Sequence, residues 1–61
     1  MKAREAVKLV EADGWIFDSQ KGSHMHFKHP VKPGKVTIPN HGSKDLPKRD
    51  VNSILKQAGL K

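Results

Sequence analysis

An α+β domain built in the order helix, three strands, helix is what this sequence predicts. Two stretches carry apolar residues at helical spacing, the segment between them alternates apolar and polar residues, and glycine or proline punctuates each junction. Three short strands joined by tight turns make one antiparallel meander. Its apolar face needs a cover, which two amphipathic helices supply. The expected architecture is αβββα: a three-stranded antiparallel sheet with both helices packed on one face, as a single domain over residues 1–61.

The first helix is expected over residues 3–13, where Ala3, Ala6, Val7 and Val10 recur at i, i+3, i+4 and i+7 and Leu9 widens the stripe. Gly14 then supplies the position just past the helix, where a left-handed backbone costs no Cβ clash, and Trp15 is placed to pack back on Val10. Trp15 to Ser19 reads as the first strand, Gln20-Lys21-Gly22 as a turn, and Ser23 to His29 as the second strand. In that strand Met25 and Phe27 share one face, and His24, His26 and Lys28 the other.

Pro30 ends the second strand, and Pro33-Gly34 suit the central positions of a type II turn. Lys35 to Ile38 is a short third strand with Val36 and Ile38 inward, closed by Pro39, which cannot donate a ladder hydrogen bond. Residues 40–46 read as a polar loop. The second helix follows from about Pro47, with Pro47, Val51, Ile54, Leu55 and Ala58 on one arc and Lys48, Arg49, Asn52 and Lys56 outward. Gly59 and Leu60 repeat the first helix's ending, with Leu60 set to meet Leu55.

Composition excludes several classes. With no cysteine there is no disulfide scaffold and no cysteine-type zinc site, which suits a reducing compartment. No apolar run reaches membrane-spanning length, and the amino-terminal residues lead into an amphipathic pattern instead of a signal-peptide core, so a cytoplasmic protein with no membrane partner is expected. The net charge of +6 is unevenly placed: nine of the 12 Lys and Arg, and all four histidines, lie after Asp18. A one-sided basic surface suits a polyanion such as nucleic acid, and equally an acidic protein partner or plain solvation.

Four short runs then identify the chain. Gly22-Ser23-His24, Phe27-Lys28-His29-Pro30, Lys44-Asp45-Leu46-Pro47-Lys48 and Ser53-Ile54-Leu55-Lys56-Gln57-Ala58-Gly59-Leu60 resemble HicA toxins, as does Leu9 to Trp15 with its Asp13-Gly14-Trp15 ending. The resemblance covers essentially the whole chain in order. It implies a double-stranded-RNA-binding-like fold, cleavage of mRNA, and a HicB-type antitoxin that covers the catalytic face, the toxin being monomeric by itself and part of a hetero-oligomer with its antitoxin. It implies one functional histidine in the Gly-Ser-His motif, His24. Two departures stand out: Met25 where many relatives carry a second histidine, with His26 one residue on, and Arg49-Asp50 where many have Gly-Thr.

RNA is cut when its 2′-hydroxyl is deprotonated and set in line with the adjacent phosphorus, which needs a base, an acid for the leaving oxygen, and positive charge for the phosphate. An imidazole can serve near neutrality. The expected assignment is proton transfer by His24, with His26 on the same face assisting, and phosphate binding by Lys21, Lys28, Lys44 and Lys48. His29 and His41 sit beside turn residues and are read as structural or solvated.

No metal or other cofactor is expected. His24-x-His26-x-x-His29 offers only two ligands on one face, short of the three or four that a protein zinc site uses. Trp15 and Phe27 read as core, so base stacking is not supported. A non-catalytic RNA-binding module of the same fold is the alternative, and a degenerate member that only binds an acidic antitoxin is a third reading.

Overall fold

The computed structural model describes residues 1–61 and has the expected order: α1 (Ala3–Ala12), β1 (Ile16–Lys21), β2 (His24–Lys28), β3 (Lys35–Pro39) and α2 (Lys48–Gln57). The strands form one antiparallel sheet in the order β1-β2-β3. Ala3, Ala6 and Val10 of α1, Ile54 of α2 and its cap residue Ala58 close over Phe27, Val36 and Ile38 to make the core, together with Trp15 and Leu46. The opposite face of the sheet carries no helix.

Both helices end as their glycines dictate. Trp15 N–H reaches Val10 C=O at 3.0 Å and Gly14 N–H reaches Glu11 C=O at 3.0 Å, with Gly14 at φ 104. Leu60 and Gly59 repeat the pattern on Leu55 and Lys56. At its start α1 is held by Glu5, whose carboxylate accepts the Lys2 N–H at 2.9 Å.

Three expectations are corrected. Leu9 does not widen the buried stripe; it is exposed, as is Pro47, the residue that precedes α2. Residues 40–46 are not wholly a polar loop: Leu46 is buried, its N–H bonds Met1 C=O at 2.7 Å, and Asp45 pairs with Lys2 as an isolated bridge. Leu46 stands just before the α2 cap and Val51 at the fourth helical position, the spacing of a hydrophobic staple. The third correction moves the first turn. Gln20 and Lys21 belong to β1, and the hairpin closes on Gly22-Ser23 alone, with Gly22 at φ 60 and Ser23 at negative φ, as a type II′ turn requires.

The two sheet edges differ. On β3 the outward Thr37 N–H is satisfied by the Gln57 side chain of α2 at 3.1 Å, and Gln57 is itself steadied by Ser53. β1 has no such cover: every residue in it is exposed, including Phe17, which meets buried Phe27 edge-on at 5.8 Å.

A second polar cluster locks the helix ends together. His29 Nε2 donates to Asp13 C=O at 2.8 Å, while its Nδ1 accepts the Val31 and Lys32 N–H groups at 3.0 and 2.9 Å. A carbonyl only accepts and an amide N–H only donates, so the ring is the neutral Nε2–H tautomer. Lys32 pairs with the Asp13 carboxylate and donates to Ala58 C=O at 3.1 Å, an oxygen that also accepts Trp15 Nε1–H at 3.3 Å. One ammonium thus sits at the carboxyl ends of both helices, where their dipoles favour a cation.

Candidate functional site

The open face of the sheet is built by cross-strand pairing. Met25 and Phe27 point to the helices, so His24, His26 and Lys28 project to the other side, as the alternation requires. On β3 their partners are Pro39, Thr37 and Lys35. On β1 they are Lys21, Ser19 and Ile16.

β1 reaches that arrangement through a bulge. Phe17 pairs with Phe27 and Ser19 with His26, leaving Asp18 as an extra residue without a partner. Strict alternation from inward Phe17 would turn Ser19 and Lys21 toward the helices. The extra residue reverses the phase, and Lys21 emerges on the open side opposite His24. Asp18 itself lies 3.5 Å from the Lys28 ammonium.

His24 is exposed at the end of the hairpin, and both of its ring nitrogens are free of hydrogen bonds within the chain. Asn40 N–H closes on Ser23 C=O at 2.7 Å, so the backbone beside His24 is held by β3 as well as by the turn. His26 is half-buried, its Nδ1 joined to the Thr37 hydroxyl at 3.0 Å, which fixes the ring and leaves Nε2 for other partners.

The sequence-predicted residues separate into two groups. Lys21, His24, His26 and Lys28 share the open face. Lys44 and Lys48 lie elsewhere: Lys44 in the exposed loop pinned to the start of α1 through the Lys2–Ser43 and Lys2–Asp45 contacts, and Lys48 at the first turn of α2. His29 belongs to the helix-end cluster with both nitrogens engaged, and His41 is exposed in the loop. No three His, Cys, Asp or Glu side chains group as metal ligands would.

Two open-face residues escaped sequence reasoning. Lys35 projects beside Lys28, and Thr37 holds His26. Both follow from one signal, the inward Val36 and Ile38, which send Lys35 and Thr37 outward. The departures from the family pattern also find their places. Met25 is on the helix side, half-buried against the core, so the second histidine of many relatives would not share the open face with His24. Asp50 stands in the first turn of α2, where a carboxylate complements the helix dipole.

Comparison with known proteins shows the family of the chain. The family profile described as the HicA toxin of bacterial toxin–antitoxin systems matches residues 3–60. A protein of Pseudomonas fluorescens (strain Pf0-1) named "Probable mRNA interferase HicA" is 38% identical over 61 residues, all of this chain and 98% of that protein. The match spans both helices, the hairpin that carries His24 and Lys21, and the third strand, and on it the chain belongs to the HicA toxin family.

Proposed function

We propose that this protein is the toxin of a toxin–antitoxin pair, a single domain that acts in the cytoplasm as a metal-independent endoribonuclease on mRNA with His24 as its catalytic residue. The observation that carries this reading is the exposed, unbonded His24 imidazole facing Lys21 on an uncovered basic sheet. The HicA family and the relative named as an mRNA interferase support it.

The chemistry follows from the groups present. His24 takes the proton from the 2′-hydroxyl as that oxygen attacks the adjacent phosphorus. The 5′-oxygen of the next nucleotide leaves with a proton, giving a 2′,3′-cyclic phosphate and a 5′-hydroxyl. His26 lies two residues along the same strand face, about 7 Å away along the strand, and supplies the proton to the leaving oxygen. Lys21 offsets the charge that grows on the phosphoryl oxygens, and Lys28 holds the RNA further along the sheet. Lys44 and Lys48 bind phosphates only of RNA that continues past the sheet toward α2. The acidic partner this face suits is a HicB-type antitoxin laid over His24, which blocks RNA and neutralises the toxin.

The test is induced expression of the native protein and of His24→Ala in a bacterial host, read by colony survival and by mRNA integrity. Growth arrest with mRNA loss for the native protein, and neither for an equally folded His24→Ala, is the expected result. Identical behaviour of the two would overturn catalysis by His24 and leave an RNA-binding or antitoxin-binding module.

A further inference from the structure

The outer face holds a second concentration of charge at the end away from His24. Lys28 and Lys35 are direct cross-strand partners on β2 and β3, and both are exposed. Like charges set directly opposite each other on neighbouring strands repel, so this placement costs stability with nothing gained in the isolated fold. Asp18, pushed out by the β1 bulge, reaches Lys28 at 3.5 Å and compensates one of the two. Lys35 has no ionic partner in the chain. Ile16, the β1 partner of Lys28, is half-exposed beside them and offers an apolar shelf.

We infer that Lys28 and Lys35 form a phosphate seat for the RNA backbone, separate from the Lys21–His24 end, with Asp18 as the carboxylate that the phosphate displaces. The inference rests on the ribonuclease reading above. Four residues along β2 separate the seat from His24, about 13 Å, so a single phosphate cannot serve both. An RNA strand that runs along β2 reaches the seat with a phosphate beyond the one that is cut. The recognition is of backbone charge, since no Phe, Trp or Tyr ring lies on the open face beside the seat: Trp15 and Phe27 are buried, and Phe17 lies on the inner side.

The probe is a fluorescein-labelled, fully 2′-O-methylated RNA of about twelve nucleotides, which keeps every phosphate but cannot be cut by 2′-hydroxyl attack. Its affinity for the native protein, Lys35→Gln, Lys28→Gln and Lys8→Gln is measured by anisotropy across a salt series. Lys8 is exposed on α1, on the side of the sheet away from the seat, and controls for net charge alone.

Lys35→Gln is expected to weaken binding about fivefold near 0.1 M salt and to lower the salt slope by about 0.7, the value of one lost single-strand phosphate contact. Lys8→Gln is expected to change neither, and Lys35→Arg to restore both. Cleavage of a dinucleoside monophosphate, which has one phosphate, is expected to be the same for native and Lys35→Gln protein. Equal effects of Lys35→Gln and Lys8→Gln would overturn the seat while leaving the ribonuclease reading intact. A native protein that cuts RNA without binding the methylated probe would do the same. Failure of the native protein both to bind and to cut would overturn both readings.

Discussion

Lys21 and His24 stand directly opposite each other across the β1–β2 hairpin, on the face of the sheet that no helix covers. The pair exists because two local features agree. A two-residue turn at Gly22-Ser23 lets the ladder run to the end of the hairpin, and the bulge at Asp18 turns Lys21 outward. On the proposed mechanism, an ammonium so placed serves the charged transition state more than the substrate's ground state. Lys21→Ala is therefore expected to lower kcat/KM for a labelled RNA about tenfold, with Lys21→Arg close to native. Unchanged cleavage by Lys21→Ala would remove this residue from the site.

Asp18 is the extra residue of the bulge, so its deletion leaves Phe17 inward and Lys21 outward in a regular ladder. A protein lacking Asp18 is expected to fold, to keep the Lys21–His24 pairing in amide NOE contacts, and to keep cleavage within about threefold. Loss of the pairing would mean that the bulge is needed for more than phase.

The proposed roles of the histidines separate stability from activity. The His24 ring makes no hydrogen bond in the fold, whereas His29 bonds Asp13, Val31 and Lys32 and packs edge-on against Trp15 at 5.1 Å. His29→Ala is expected to cost about 2 kcal/mol in chemical denaturation, from unmade hydrogen bonds in a half-buried site. His24→Ala is expected to leave the denaturation curve unchanged. The reverse order of the two effects would contradict the assignment of roles.

Asp13 governs the acid side of the stability curve. The hydrogen bond from Lys32 holds its carboxyl below the ordinary carboxylate range, with the Lys32 charge adding to the effect and partial desolvation opposing it. A lowered folded pKa means that Asp13 contributes stability above the unfolded carboxylate value of about 3.9 and loses it as pH falls through the lower folded value. Thermal midpoints measured from pH 7 down to about pH 2 are expected to fall less steeply below pH 4 for Asp13→Asn, from a lower starting point. Parallel curves for the two proteins would exclude the Lys32–Asp13 contact as their source.

Two glycines give a graded test of the backbone. A Cβ on Gly14, at φ 104, would sit 2.7 Å from His29 Nε2, so strain and collision add; Gly22, at φ 60, faces open space and meets strain alone. Gly14→Ala is expected to destabilise by about 3 kcal/mol and Gly22→Ala by about 1 kcal/mol. Equal losses would mean that the His29 ring gives way freely.

Much of this was legible in the sequence because it depends on neighbours a few residues apart. Helical spacing around Val10 and Ile54 placed both helices, Gly14 and Gly59 marked their ends, and inward Phe27 set His24, His26 and Lys28 on one face. The HicA resemblance pointed to His24 through a run of three residues. Burial of Leu46 was missed because one apolar residue among polar ones has no period, and its burial depends on Met1 and Lys2, far away in sequence.

The sequence by itself determined the order of elements, the helix ends, the faces of β2 and β3, and the family. Local sterics and hydrophobic spacing act over one or two turns, and that range is enough for the first three. The family follows from the resemblance of short runs such as Gly22-Ser23-His24 to HicA toxins. Only the tertiary structure decided which way Lys21 points, because one extra residue in β1 reverses every side chain after it and only pairing with β2 reveals the excess. It also decided that Lys28 faces Lys35 and that His29 is a neutral clasp between helix ends. Those outcomes depend on register and on contacts between segments distant in the chain, which no local pattern encodes.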